Sequence, residues 1–166
     1  MLNFITKISA PLGLEILDKI GMVYEFLEHP SDLKIRAYGN DLSEVFNNMM
    51  IAMFDFLSGG EICKENEEEG AFLRQEVSRK IEIESPDSET LLVDFLSECL
   101  TLSDTYSELY NKVNFLELLD NYLEAEVWGY STFRRVADIK AVTHHDLEIK
   151  KDETSGIWQA TVLFDI

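Results

Sequence analysis

Three short polar segments hold the side chains best suited to bind a ligand or catalyse a reaction. They read EHPSD at residues 28–32, KAVTHHD at residues 140–146 and FDI at residues 164–166. Asp32 and Asp165 supply carboxylates, and Ile166 supplies a main-chain oxygen. If the first segment met the last, these hard oxygen donors would suit Ca²⁺ or Mg²⁺. Taken alone, the residues favour a plainer interpretation, in which Asp32 is an ordinary turn residue and Asp165 is solvated.

Histidines lie in the first two of these segments. Because histidine titrates near neutral pH and binds zinc, His29, His144 and His145 are candidates for an acid–base or zinc site. In a regular strand His144 and His145 would point to opposite faces, so at most one of them shares a pocket with Lys140 or His29. Structural, hydrogen-bonded histidines are therefore the favoured interpretation. A hydrolase built on Asp32 and His29 would lack a nucleophile and a paired base.

Basic residues concentrate near the middle segment. The stretch between Trp128 and Lys151 holds more cations than anions, the cations being Arg134, Arg135, Lys140, Lys150 and Lys151. Such a stretch either contacts a phosphate or an acidic partner, or it keeps strand edges from pairing with other chains. The residue pattern leaves both explanations open.

Composition excludes several classes of function. Lys and Arg total 14 against 32 Asp and Glu, and the net charge of −18 repels phosphate backbones, so strong direct nucleic-acid binding is not expected. Phosphate-binding glycine loops, GxSxG elbows, HExxH and CxxC motifs are all missing from the sequence, and an enzyme is not indicated. Cys63 and Cys99 are far apart, which favours a reducing, cytoplasmic compartment. The sequence predicts neither a secretion signal nor a membrane span.

The length of 166 residues fits one main domain. Residues 1–21 contain Pro11 and Gly13, and a short helical pattern near residues 14–20. We predict that they form an N-terminal extension and that the main domain spans residues 22–166.

Strands and two amphipathic helices are predicted to position the polar segments. An extended pattern covers residues 23–38 and bends at Pro30. The first helix begins at a capping box formed by Asp41 and Glu44, and apolar residues at three- and four-residue steps continue to Leu57. Residues 58–60 end this helix, and the glutamate-rich residues 61–70 are predicted to form a solvated loop.

The remaining elements complete an α+β pattern. After a strand at residues 77–84, Ser85 and Pro86 are predicted to start a second helix whose apolar stripe runs from Leu91 to Leu100. Four strands follow, near residues 113–119, 122–128, 138–149 and 157–164. The pattern predicts a two-layer sandwich with both helices on one face of a largely antiparallel, mixed sheet. A doubly wound parallel fold is the second choice.

The three polar segments together resemble the archease family. Members of that family carry an EHTAD-type start, a KAVTYH-type strand and an Asp-Ile end, and the counterparts here read YEFLEHPSDLKIRAYG, IKAVTHHDLEI and VLFDI in the same order. The resemblance covers Met22 to Ile166. Pro30 and Ser31 replace the usual Thr-Ala pair, and His144 replaces a tyrosine.

This resemblance implies a non-catalytic partner protein. Archeases are small acidic adaptors that activate the RtcB-type RNA-splicing ligase by promoting its guanylylation and multiple turnover in tRNA splicing. The resemblance implies a metal site formed by Asp32, Asp165 and the main-chain or terminal oxygen of Ile166. Calcium is the expected ion, with Mg²⁺ or Mn²⁺ as alternatives, and Lys140 is the implied functional lysine. The acidic surface would dock near the basic cleft of the ligase.

A different role was also suggested for the family, that of a chaperone or modulator of nucleic-acid-processing proteins. In that case Met49, Met50 and Met53 would form a surface for client proteins. Methionine at helical spacing more often fills a core, so exposure of these three side chains would favour the chaperone role.

Overall fold

The computed structural model describes residues 23–60, 62, 75–131 and 135–166. The predicted N-terminal extension, the loop at 61–70 apart from Ile62, and Arg134 lie outside the described residues. The described elements, in chain order, are β1 (Tyr24–Leu27), β2 (Leu33–Gly39), α1 (Leu42–Ser58), β3 (Glu76–Glu84), α2 (Ser88–Tyr106), β4 (Glu108–Leu118), β5 (Tyr122–Ser131), β6 (Ala141–Lys151) and β7 (Trp158–Asp165).

The described strands form two antiparallel sheets. A four-stranded sheet has the order β1-β2-β7-β6, and a three-stranded sheet has the order β3-β5-β4. Both helices pack against strands of both sheets. The α+β prediction with two helices and antiparallel strands is confirmed. The strands divide between two sheets instead of forming one, because β7 returns to pair between β2 and β6 while β3, β4 and β5 pair among themselves.

Helix α1 begins and ends as its sequence predicts. The Asp41 carboxylate accepts a hydrogen bond of 2.9 Å from the main-chain N–H of Glu44. The Glu44 carboxylate in turn accepts one of 2.8 Å from the N–H of Asn40, so both bonds of a capping box form, the return bond one residue earlier than usual. Gly59 ends the helix in a left-handed conformation, with φ of 69°. These caps fix the length of the helix at the centre of the core.

Helix α2 begins two residues later than the sequence suggested. Its N-cap is Asp87, whose carboxylate accepts a 2.7 Å hydrogen bond from the N–H of Thr90. The prediction that Ser85 caps the helix is wrong, since the Ser85 hydroxyl instead donates to the Asp94 carboxylate at 2.6 Å.

Neither described helix is long and apolar enough to cross a membrane.

The predicted order of four final strands is confirmed, but β4 begins at Glu108, earlier than predicted. Residues 108–110 are buried, and a carboxylate at the first of these positions breaks the apolar pattern by which the sequence would indicate a strand. The Glu108 side chain is 4% exposed, with its oxygens 2.6 and 3.0 Å from Nη2 and Nε of Arg79. The Tyr110 hydroxyl donates a further bond of 2.6 Å. These bonds compensate the cost of burying the carboxylate, and the Arg79 bond is the largest cause that lowers the pKa of Glu108.

We expect Glu108→Gln to remove an acid-sensitive part of the stability. Because folding lowers the pKa of Glu108 below its ordinary value of 4.5, its ion pair stabilises the protein above that pH. This contribution is lost as the pH falls through the lowered pKa. Urea unfolding should therefore show the variant less stable than the wild type at neutral pH, with the difference shrinking below about pH 4. The exposed Glu153→Gln is the control. A difference that does not change with pH would contradict this assignment.

Candidate functional site

Strand pairing brings the three polar segments to one end of the four-stranded sheet. In the β2–β7 ladder Leu33 pairs with Phe164, so Asp32 directly precedes the first paired residue and Asp165 directly follows its partner. In the β6–β7 ladder Ala141 pairs with Asp165, which places Lys140 beside Ile166. We call these four residues, Asp32, Lys140, Asp165 and Ile166, the polar sheet end.

Side-chain alternation separates the polar sheet end from the core. Leu33 and Phe164 are buried, at 8% and 0% exposure. Because successive side chains of a strand point to opposite faces, the Asp165 carboxylate lies on the face of the sheet opposite to Phe164. Asp165 is half-buried, and Ile166 is 41% exposed. Solvent and a partner protein can therefore reach this end of the sheet.

The bend before β2 holds Asp32 through its neighbours. The Ser31 hydroxyl donates a 2.7 Å hydrogen bond to Oδ2 of Asp32. The Nδ1 atom of His29 lies 3.1 Å from the same oxygen and 3.2 Å from the main-chain nitrogen of Asp32. Nδ1 accepts from that N–H only when it carries no proton, and pairs with the carboxylate only when it does. His29 therefore contacts the bend at Asp32 through Nδ1.

Lys140 makes two contacts with the end of β7. Its main-chain N–H donates a 2.8 Å hydrogen bond to the carbonyl of Asp165. Its side-chain Nζ donates a 2.9 Å bond to the main-chain oxygen of Ile166. The ammonium group thus lies on an oxygen that the resemblance assigns to a metal, and the two cations would compete for it.

The pairing of β6 with β7 is interrupted in the middle polar segment. It stops at the Thr143–Leu163 pair and resumes at the Glu148–Thr161 pair, so the intervening residues of β6 outnumber those of β7. Asp146 has a positive φ of 54° inside this irregularity. The strict alternation expected for the two neighbouring histidines therefore does not apply here, and only a run of polar residues marks this irregularity in the sequence.

The irregular segment forms a second group of charges that sequence reasoning missed. Oδ2 of Asp146 lies 3.0 Å from Nζ of Lys34 on β2, and Oδ1 lies 3.7 Å from Nε2 of His145. The Lys34 hydrogen bond lowers the pKa of Asp146, and the charges of Lys34, His145 and His29 add to the effect. This ion pair bridges β2 and β6 across β7. Lys34 offered no signal in the sequence because its partner is distant along the chain.

Several described cations of the basic stretch form ion pairs or hydrogen bonds within the protein. Arg135 forms an ion pair with Asp104 of α2. Nζ of Lys150 lies 2.7 Å from the carboxylate of Glu148 on the same strand. Because β6 is an edge strand of its sheet, Lys150 fits the explanation that cations on this strand deter edge pairing.

Fully buried methionines fill the core beneath α1. Met49, Met50 and Met53 each have 0% exposure and belong to the core cluster. These side chains therefore offer no surface to a client protein, as the alternative role would require.

The polar sheet end offers a donor set that a hard cation prefers. It combines two carboxylates with a main-chain oxygen, and calcium and magnesium bind such oxygen ligands. Within the part of the chain that the structure describes, no group of three or more His, Cys, Asp or Glu could hold a metal ion. The set predicted here draws on only two acidic side chains, so a bound ion would need water or a partner group to complete its coordination.

Comparisons with known proteins agree on one family. The family model described as Archease protein family (MTH1598/TM1083) matches residues 24–166. A protein archease from Methanosarcina mazei is 34% identical over 154 residues, which cover 88% of this chain and 97% of the relative. A protein archease from Pyrococcus abyssi is 33% identical over 150 residues, which cover 86% of this chain and 98% of the relative.

Two solved structures share the fold. The solution structure of Methanobacterium thermoautotrophicum protein 1598 has a TM-score of 0.65 and 31% identity, covering 87% of this chain and 99% of that chain. A crystal structure of a Thermotoga maritima archease, described as a possible chaperone, has a TM-score of 0.57 and 15% identity, covering 84% of this chain and 94% of that chain. At that lower identity the likeness concerns the fold alone.

Proposed function

This chain belongs to the archease family, and on that basis we propose that it activates an RtcB-type RNA-splicing ligase. As a non-catalytic partner in the cytoplasm, it promotes guanylylation of the ligase and hence repeated rounds of ligation in tRNA splicing. The observation that supports this most is the register of β7, which pairs with β2 and with β6 at the polar sheet end. The segments that carry the family resemblance thus converge on a single surface.

We propose that Asp32, Asp165 and the main-chain oxygen of Ile166 hold a divalent cation. Calcium is expected, and magnesium or manganese would use the same oxygens. Such an ion would carry a concentrated positive charge, and a phosphate or a carboxylate of the ligase could coordinate it. The exposure of this end of the sheet supports the proposal, because the ion and a partner protein must meet there.

Lys140 is proposed to contact the ligase. Its ammonium group lies 2.9 Å from the oxygen of Ile166, so it is held at the same surface as the two carboxylates. A lysine is a compact point charge on a flexible stem, which suits contact with a phosphate or an acidic side chain. The negative protein around it, with a net charge of −18, steers encounter with a basic ligase surface.

The chaperone role would need an exposed methionine surface on α1. The three methionines of α1 are fully buried, so the structure does not support that role.

The direct test of the proposed function is an assay with the cognate ligase. Multiple-turnover RNA ligation and ligase guanylylation would be followed with GTP, with and without this protein. We expect more than one molecule of ligated product per molecule of ligase only when this protein is present. Stimulation that is absent with both proteins folded would contradict it.

Substitution of Lys140 separates its role from metal binding. We expect Lys140→Met to bind calcium up to about fivefold more tightly, because a competing cation leaves the Ile166 oxygen. We expect the same variant to lose stimulation of the ligase, since its point charge no longer reaches the partner. Isothermal titration with calcium measures the first effect and guanylylation measures the second. Lys150→Met, on the adjoining strand β6, is the matched control, and calcium binding that weakens in the Lys140 variant would overturn this assignment.

A further inference from the structure

A groove lies on the three-stranded sheet, away from the polar sheet end. Its volume is about 550 Å³, within the range of roughly 300–1,000 Å³ typical of ligand sites. Helix α1 and all three strands of this sheet contribute to the lining, namely Asn47, Glu76, Asn111, Lys112, Trp128, Gly129 and Tyr130. The proposed metal site uses none of these residues.

An irregularity in β4 shapes the groove. The β4–β5 register shifts between Tyr110 and Lys112, so Asn111 has no partner on β5. Past the shift, the N–H of Val113 donates a 3.3 Å hydrogen bond to the side chain of Asn47 on α1. Through this bond α1 supplies an acceptor for a main-chain N–H of the edge strand β4. Asn111 remains without a partner on β5.

The lining is suited to a guanidinium group. Trp128 is 38% exposed, and Tyr130 pairs with Glu76 across the β3–β5 ladder. Arginine stacks on aromatic rings and binds carboxylate and amide oxygens with its fixed fork of donors. The groove combines both kinds of partner, since Asn111 adds an amide oxygen to the Glu76 carboxylate. Lys112 is the single cation among the described lining residues, too little to favour a phosphate over Glu76.

Beyond the Lys80–Glu126 pair, a row of glutamates lies on the same face of the sheet. Glu82 pairs with Glu124 on β5, and Glu117 of β4 pairs with Glu124 from the other side. We call these three residues the glutamate row. Like charges directly opposite each other on neighbouring strands are destabilising. A cationic partner would relieve this repulsion, so the row, like the groove, favours a positively charged occupant.

We propose that the groove and the glutamate row form the docking surface for an arginine-bearing segment of a protein partner. One guanidinium group binds in the groove against Trp128 and Glu76, and further cations face the glutamate row. This inference rests on the proposed function for the identity of the partner, an RNA-binding ligase, and extends it by naming the surface. It adds a contact on the three-stranded sheet to the ligase contact proposed at the polar sheet end.

A peptide titration tests the groove without the ligase. The isotope-labelled full-length protein would be titrated with acetyl-Gly-Arg-Gly-Arg-Gly-amide at about 150 mM salt and followed by NMR. The same peptide with citrulline in place of arginine is the neutral control. We expect shifts of the Trp128 indole and of the Lys112 and Tyr130 amides, with little change at Trp158. Shifts that are absent, or spread evenly over the acidic surface, would overturn the proposal.

Variants connect the groove to the ligase. We expect Trp128→Ala and Glu76→Lys each to weaken ligase binding by at least about tenfold, while Glu153→Lys, at an exposed turn, changes it less than about twofold. Because Glu76 is exposed, its variant remains informative if Trp128→Ala does not fold. Stimulation and affinity at the wild-type level in both groove variants would refute the docking surface and leave the proposed function standing. Peptide binding in the groove by a protein that does not stimulate the ligase would refute the function alone.

Discussion

Asp165→Asn is expected to lose calcium binding and activation of the ligase together. The amide keeps the size of the side chain, and the main-chain bond from Lys140 to the Asp165 carbonyl is unaffected, so the fold should persist. One of two carboxylates is lost, and the affinity of calcium sites depends strongly on the charge of their ligands. We expect the affinity to fall by about 100-fold or more, a larger loss than the 10–100-fold typical of outer-shell changes.

Calcium titration calorimetry and ligase guanylylation measure these two effects. Asp120→Asn, at the exposed turn between β4 and β5, is the control for loss of one negative charge. Unchanged calcium affinity in the Asp165 variant would rule out the proposed ligand. Lost activation with unchanged calcium affinity would instead assign Asp165 to the contact with the ligase.

Gly129→Ala is expected to cause the largest loss of stability. An added Cβ at Gly129 would lie 1.9 Å from the carbonyl oxygen of Leu109, which is main chain and cannot turn aside. The neighbouring strand would have to shift, next to the point where the β4–β5 register already changes. Overpacking of this kind costs about 3 kcal/mol or more in the free energy of unfolding.

Gly156→Ala provides a matched comparison for urea unfolding. Gly156 has a positive φ of 75°, and nothing lies within 4 Å of an added Cβ, so only backbone strain of about 1 kcal/mol is expected. Equal losses in the two variants would show that strand β4 moves away from Gly129 at little cost.

Local rules predicted the helices from the sequence. The bonds between Asp41 and Glu44, and the apolar stripe from Leu42 to Leu57, involve residues near each other in the chain, so their spacing alone specifies the helix. The alternation of buried Leu33, Ile35 and Ala37 along β2 is likewise a local pattern. It did not say which strands are neighbours, because an apolar face can pack against any other. The division into two sheets was missed for this reason.

Long-range polar contacts were also beyond sequence reasoning. The ion pair of Arg79 with Glu108, and that of Lys34 with Asp146, join residues from separate elements, and neither partner has a local pattern that marks it. The residues of the polar sheet end were selected by their chemistry and by family resemblance. Their convergence depends on β7 pairing with both β2 and β6, which their spacing in the chain does not encode.

The most direct measurement of the proposed metal site is an anomalous difference map from crystals grown with manganese as a substitute for calcium. We expect one strong peak with oxygens of Asp32, Asp165 and Ile166 in its coordination shell, at about 2.1–2.6 Å. We also expect Nζ of Lys140 to have moved away from the Ile166 oxygen. Density for the metal at another site, with Lys140 still bound to Ile166, would contradict the proposed metal site.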